Sequence, residues 1–306
     1  MVAVKKGAVE LVRAMTPEDL PSVVKVARRA YDEDLNVLSA RPGLEPWADS
    51  GRIARMDSRF TSLELAEHIL RHDPQTCLVI EDDGKVNGAV MAINREGMII
   101  ISMLAVRPKA QGRGYGSLIV DRMRSMLDSY RRSMTIVKAS ETIRTMFPWN
   151  FDVHPAMRAE GIVDRSRLTS TKSVRDGTAD DRDFIEGLDR RLRGASRGVD
   201  HDLLSSYARL FVAEDRSARG YAYAHSDGSP LTLAATTTTV ARELLMACLA
   251  SGGGPDDLPV VRNLTGEQRW AFDVVRTLGL DLRLAGPVIV RGMALPAPYL
   301  PHDSLG

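Results

Sequence analysis

The sequence predicts an α/β protein made of two similar halves. Three observations carry that expectation. Strand-like and helix-like stretches alternate along 306 residues, a length sufficient for two domains. Stretches of the first half are echoed in the second. Residues 98–117 read as an apolar strand, a proline-marked bend, a basic glycine-rich loop and the start of a helix.

The elements follow in order. Residues 9–13 form a strand. Thr16 then caps a helix over 17–31 that carries Glu18 and Asp19 in its first turn. Residues 32–60, with Pro42, Gly43, Pro46 and Gly51, form a long polar-aromatic insertion, and loops this long are often functional. Residues 62–71 are helical. The Asp83-Gly84 turn folds residues 78–82 back onto 88–92 as a hairpin. After the strand and loop of 98–116, Leu118, Ile119, Met123, Met126 and Leu127 fall at helical spacing over 117–130, and 135–139 is the next strand.

The second half repeats this pattern. Thr178, Asp180 and Asp181 precede a helix over 182–192, and residues 211–215 lead into 220–224 as Leu78 to Gly84 lead into 88–92. Strands are expected at 231–235 and 260–262, a helix at 267–278, and closing strands at Leu282 and 288–290. The polar run 169–173 suits a linker, giving domains 1–168 and 173–306.

Composition narrows the partners. Lys+Arg number 41 and Asp+Glu 40, so a net charge of +1 supplies no strong field for nucleic acid or membrane. The first residues, Met1 to Lys6, lack a signal-peptide core, and no 18-residue apolar run is found, so the cytoplasm is expected. Cys77 and Cys248 sit in apolar runs and read as buried thiols. His68 and His72 share a helical face with Glu64 and Glu67, yet His-Glu-x-x-His is absent; a solvated face is expected and no metal. Met91, Met98, Met103, Met123 and Met126 read as core.

The chemistry sits in the loop. Glycines allow N–H groups to converge on one concavity, and the first turn of the following helix adds unpaired donors and the positive end of its dipole. A pyrophosphate suits this site, with Arg107, Lys109 and Arg113 adding charge. A Walker loop is excluded because Gly-Lys-Ser/Thr is missing. A dinucleotide fingerprint is excluded because the glycine spacing of Gly112-Arg113-Gly114-Tyr115-Gly116 is wrong and no suitably placed acidic strand end follows.

Gln111-x-x-Gly114-x-Gly116, after a strand ending Leu104-Ala105-Val106-Arg107-Pro108, resembles the acyl-CoA loop of the GNAT acetyltransferase superfamily. The resemblance implies tandem GNAT folds, each a mixed, mostly antiparallel central sheet flanked by helices. It implies that the backbone of Leu104, Ala105 and Val106 pairs with the pantetheine arm of acetyl-CoA or another acyl-CoA. Gln111, Gly112, Arg113, Gly114, Tyr115, Gly116 and Ser117 would hold the pyrophosphate. Ser140 is read as a further contact to CoA or as an N-cap. In the second half, Thr236-Thr237-Thr238-Thr239 replaces the glycine loop, and β-branched residues cannot open the same nest. That copy is expected to be degenerate. The stretches 151–157, 189–194, 200–201 and 296–301 resemble one bacterial subgroup of such tandem proteins.

Acyl transfer to an amine needs a base for the ammonium, a donor for the oxyanion and a proton for the leaving thiolate. The superfamily's usual acid, a Tyr in the helix after the fifth strand, has no counterpart in residues 140–151. His154 and Glu81 are the candidate catalytic residues, each with an alternative as a packed or solvated side chain. Asp200 and His201 are read as lining a cleft between the halves or as packed. The expected function is N-acyl transfer from CoA to a primary amine of a small molecule, by a monomer or homodimer. The alternative is a non-catalytic acyl-CoA binder or regulatory protein.

Overall fold

The computed structural model describes residues 11–39, 62–137, 150–169, 173–215, 218–254 and 257–306. Most of the expected insertion, and the stretch around Ser140, lie outside the described residues. The chain divides into two compact units, Met1–Phe151 and Asp152–Gly306. The division falls ahead of the linker expected at 169–173 for a physical reason given below.

The first unit contains β1 (Val12–Ala14), α1 (Leu20–Ser39), α2 (Leu63–His72), β2 (Cys77–Asp82), β3 (Lys85–Arg95), β4 (Met98–Val106), α3 (Tyr115–Leu127) and β5 (Arg132–Ile136). Helix α1 thus runs on through Ser39, into the segment read as insertion. The strands pair in sequence order, antiparallel except for the parallel β4–β5 contact. Helices α1 and α2 bury Val23, Val26, Ala27, Leu65, Ala66 and Ile69 on one face. Helix α3 buries Ile119 and Met123 on the other. Gly88 is where α3 comes closest: a Cβ there would lie 3.2 Å from Ile119 Cδ1.

The second unit contains β6 (Asp152–Glu160), β7 (Val174–Asp176), α4 (Arg182–Leu192), α5 (Asp200–Tyr207), β8 (Arg209–Asp215), β9 (Ala218–Ala224), β10 (Pro230–Ala235), α6 (Thr238–Ala250), β11 (Val260–Thr265), α7 (Arg269–Thr277), β12 (Asp281–Arg291) and β13 (Tyr299–Leu300). One sheet runs β7-β8-β9-β10-β13, and β6 lies between β12 and β11 in another. Its pairing with β11 and β12 is why β6 joins the second unit and the division precedes the polar linker. The two expected closing strands are one, β12. Its core is apolar, built from α6, α7 and the inner faces of both sheets, with Leu244, Leu264, Trp270 and Val275 buried.

The halves agree bond for bond at two places. Before α1, Arg13 donates to Asp19 through Nη1 to Oδ2 (2.7 Å) and Nη2 to Oδ1 (2.8 Å), while the Thr16 N–H donates to Oδ2 at 2.8 Å. Before α4, Arg175 makes the same two bonds to Asp181 (2.8 and 2.6 Å) and the Thr178 N–H the same third (2.8 Å). In the sheets, Gly88 pairs with Val106 and Met91 with Met103, as Gly220 pairs with Ala235 and Tyr223 with Thr232. One residue further in, both registers slip, leaving Ser102 of β4 and Leu231 of β10 as the extra residue of a β-bulge. Gly220 is again crowded by the helix that follows, its Cβ position 2.8 Å from Val240 Cγ1.

The repeated cap gives a test. Arg13 holds the Asp19 carboxyl below its usual value, and Arg175 does the same to Asp181. Their stabilisation is complete above about pH 4 and is lost as pH falls through the depressed native values. Asp19→Ala or Asp181→Ala is expected to cost about 1–2 kcal/mol in urea unfolding at neutral pH. The difference from the parent should shrink in acid.

Candidate functional site

Strands β4 and β5 pair only where they begin, at Met98 to Ile100 with Arg132 to Met134. The Thr135 hydroxyl then donates to the Ile101 carbonyl, and beyond that point the strands part. On its other side β4 stays bound to β3, where the Arg107 N–H donates to the Asn87 carbonyl at 2.8 Å. Polar groups of antiparallel strands alternate in direction. The backbone groups of Val106 and Leu104 therefore point to the outer edge, which has no strand partner among the described residues. Gln111 Nε2 donates to the Val106 carbonyl at 3.2 Å, tying the loop to this edge.

From the edge the chain passes through a 3-10 turn, Pro108–Ala110, into the glycine loop. Gly112 (φ +77°) and Gly114 (φ +86°) are left-handed, a conformation side chains rarely adopt, and Gly114 is the N-cap of α3. A Cβ at either would meet nothing within 4 Å, so the concavity is open. The Leu118 N–H bonds to the Gly114 carbonyl at 3.1 Å. Among the described residues, none accepts a hydrogen bond from the six N–H groups of Gly112 to Ser117. Helix α3 begins at Tyr115 rather than Ser117, so the unpaired N–H groups of its first turn are those of Tyr115, Gly116 and Ser117. Lys109 and Arg113 are exposed beside the loop. Arg107 points away, donating through Nη2 to the Val86 carbonyl at 2.9 Å. The Tyr115 hydroxyl donates to Asp82 and raises its own pKa by doing so, fixing the loop to the β2–β3 turn.

The other expected residues lie apart from this loop. Glu81 accepts from Arg13 Nε at 2.7 Å at the far side of β2. His154 is on β6, paired with Val288 in the second unit. Burial raises the Cys77 thiol to about 12 and the Cys248 thiol further, so both are inert. Among the described residues no cluster of three His, Cys, Asp or Glu is placed to hold a metal.

In the second unit, the same strand edge is filled. Strand β13 pairs with β10 through Leu300–Leu233 and Tyr299–Ala234, and the Ala235 N–H donates to the Pro298 carbonyl at 3.2 Å. The Asn263 amide of β11 donates to the Pro301 carbonyl at 2.9 Å, holding the segment from the other side. The eight residues that join β4 to α3 (107–114) are reduced to two, Thr236 and Thr237, between β10 and α6. Thr237 caps α6 with its own hydroxyl, bonded to the Val240 N–H at 3.4 Å.

Beneath this segment lies a buried polar cluster. Arg197 donates to the Tyr221 hydroxyl (3.1 Å), Thr232 Oγ1 (2.8 Å), the Leu305 carbonyl (3.0 Å) and the Tyr299 hydroxyl. Asp189 accepts from the Tyr221 hydroxyl at 2.6 Å and from His201 Nε2 at 3.1 Å. The Tyr223 hydroxyl lies 3.3 Å from His201 Nδ1, which suits the neutral tautomer protonated at Nε2. Asp200 and His201 are thus packed within the second unit. Burial works against the Asp189 anion, but Arg197 and its other partners outweigh it and lower the pKa.

Residues 73–147 match the acetyltransferase (GNAT) domain model. The first unit carries a GNAT domain. This domain includes β2 to β5, the glycine loop and α3. A putative acetyltransferase from Pyrococcus horikoshii shares the fold with TM-score 0.68 at 15% identity, over 96% of this chain and 94% of that one. A GCN5-related N-acetyltransferase from Sphaerobacter thermophilus gives 0.53 at 14%, over 93% and 97%. A probable N-acyltransferase from Enterococcus faecalis gives 0.53 at 16%, over 92% and 72%. At these identities the likeness concerns fold. No curated protein matches the chain. The match to the GNAT domain model supports acyl transfer in general terms, and among the described residues no helix is long and apolar enough to cross a membrane.

Sequence reading missed the filling of the second edge. The run 296–301 stood out as a motif without a chemical role, and its pairing with β10 supplies one. The buried cluster has its own test. Burial pushes the His201 imidazole below its usual 6.5 against the pull of Asp189. As pH falls through that value the unfolded chain takes up the proton first, so this group's contribution, present above it, is lost. Urea unfolding between about pH 7.5 and 5.5 is expected to show the decline, and His201→Gln is expected to flatten it.

Proposed function

We propose that the chain is an acyl-CoA-dependent N-acyltransferase that moves an acetyl or short acyl group to a primary amine of a small molecule. The first unit binds the donor and the second is a degenerate duplicate of the same fold. One observation carries this reading: among the described residues, the six N–H groups of Gly112 to Ser117 have no protein acceptor and the outer edge of β4 beside them has no strand partner. A diphosphate joined to an amide-bearing arm is complementary to both. The diphosphate takes the N–H groups of Gly112 to Ser117, with Lys109 and Arg113 beside it. The pantetheine amides take the outward groups of Val106 and Leu104. The second unit supports the pose, since Ala235, at the register position of Val106, uses its N–H to hold a carbonyl of residue 298.

The amine nitrogen attacks the thioester carbonyl, the carbonyl oxygen gains charge, and the C–S bond breaks to leave CoA thiolate. Outward N–H groups of β4 are the proposed oxyanion donors. An alkyl ammonium has a pKa near that of lysine, about 10.4, so a base is needed at neutral pH. Glu81 is engaged by Arg13 and His154 belongs to the second unit. A binder without turnover is therefore the competing reading, favoured by the hold of Arg13 on Glu81.

Two measurements test these readings. Calorimetry is expected to show one acetyl-CoA per chain. Gly114→Val should weaken it by on the order of tenfold or more, at a folding cost of about 1 kcal/mol. Undiminished affinity would remove the loop assignment. Thiol release with a panel of amines then separates enzyme from binder: turnover of any amine supports the first, tight binding without turnover the second.

A further inference from the structure

The glycine loop is fastened at both ends to one hairpin. At its start, Arg107 donates its N–H to the Asn87 carbonyl (2.8 Å) and Nη2 to the Val86 carbonyl (2.9 Å). At its end, the Tyr115 hydroxyl donates to Asp82. Asp82 closes β2, and Val86 and Asn87 lie at the opening of β3. Both ties therefore reach the β2–β3 turn.

That turn is built as a fixed point. Asp83 (φ +55°) and Gly84 (φ +67°) are both left-handed, as a two-residue hairpin turn requires. Asn87 is the extra residue of a bulge opposite Ile80 and Glu81. Its amide donates to the carbonyls of Asp82 (3.3 Å) and Lys85 (3.1 Å), which clasps the turn from within. The loop itself is the opposite case. Gly112 and Gly114 carry no side chain that could hold their own backbone, and glycine has the most conformational freedom to lose on ordering. The left-handed shape at these two residues depends on what the loop's ends are tied to.

The second unit shows when a side-chain tie is needed. Its two-residue connection binds its hairpin directly. The Thr236 N–H donates to the Arg219 carbonyl at 2.8 Å, and Thr236 Oγ1 accepts from the Arg219 N–H at 2.9 Å. Thr238, which follows the N-cap of α6 as Tyr115 follows that of α3, is exposed. In the first unit eight residues separate strand from helix, and a long side chain makes the connection back to the hairpin. The Tyr115 ring is buried, and Asp82 raises the pKa of its hydroxyl more than Arg113 lowers it, so the hydroxyl stays a donor.

We propose that Tyr115 and Asp82 are positioning residues for the donor: their bond holds the loop in the shape that receives the diphosphate, so that the β2–β3 turn sets the affinity for acyl-CoA. The inference rests on the donor reading given above. The ligand takes the backbone N–H groups, and the two side chains act through the backbone that carries them. Without the tie, the loop has to be ordered as the ligand binds, which lowers affinity.

Calorimetric Kd values for acetyl-CoA test it as a double-mutant cycle. Tyr115→Phe keeps the buried ring and removes the tie, and Asp82→Ala removes it from the other side. Each is expected to weaken acetyl-CoA about tenfold, and the double variant no further than either alone. Asp82→Asn keeps an acceptor oxygen and should recover most of the affinity. Tyr115→Phe and Asp82→Asn keep the test open if Asp82→Ala fails to fold. A tie that serves folding alone would lower the urea midpoint and leave Kd unaltered, and that result would overturn the inference while the donor reading stands. Losses that add in the double variant would overturn it as well. A parent chain that does not bind acetyl-CoA would remove both.

Discussion

A strand that parts from its neighbour leaves a row of N–H and C=O groups that the sheet no longer satisfies. Strand β4 meets this constraint after Ile101, where the Thr135 hydroxyl makes the last tie to β5. Strand β10 meets it at the register-equivalent place, and there the chain supplies its own partner in β13. The contrast between an edge left open and an edge filled from within separates the two units more sharply than any difference in their element order. It also gives the open edge a chemical meaning, because what fills it in one half is an extended, amide-bearing segment.

The connection after each strand follows the same division. An anion cradle needs chain length and left-handed residues, and the eight residues between β4 and α3 supply both through Gly112 and Gly114. Two threonines between β10 and α6 supply neither. Thr237 instead caps the helix with its own hydroxyl, which occupies the Val240 N–H, one of the donors that an anion would use. Packing of the helix onto the sheet is preserved in both, since Gly88 and Gly220 admit α3 and α6 at close range. Fold and ligand site are therefore carried by different residues.

What could be read from the sequence divides along physical lines. The caps at Thr16–Asp19 and Thr178–Asp181 were legible because their bonds close within a few residues. The glycine loop was legible because left-handed backbone leaves a signature in residue type. The filling of β10 was not, since Tyr299 and Leu300 carry no mark of a partner in residues 233–234. The cluster of Asp189, Arg197, His201 and Tyr221 was hidden for the same reason: each side chain is ordinary alone, and only folding brings them together. Helix α5 was obscured by its charged opening, Asp200-His201-Asp202. The place of β6 between β11 and β12 was beyond local pattern, because adjacency in a sheet depends on which edges are free. The linker composition at 169–173 pointed to a boundary that strand pairing moved.

The buried cluster follows from the filled edge. Guanidinium burial costs several kcal/mol unless its donors are met. Arg197 meets them with a side chain of β9, one of β10, the Tyr299 hydroxyl of β13 and the carbonyl of Leu305. Two of those partners, Tyr299 and Leu305, are in reach because the segment after Pro298 lies in the gap beside β10. An external ligand in that gap would come and go, exposing the cation each time it left. A covalently attached segment stays, and its permanence allows Asp189, Arg197 and His201 to be fully enclosed. The register-equivalent positions of the first unit, those of Tyr223 and Thr232, carry Met91 and Met103, both buried and apolar.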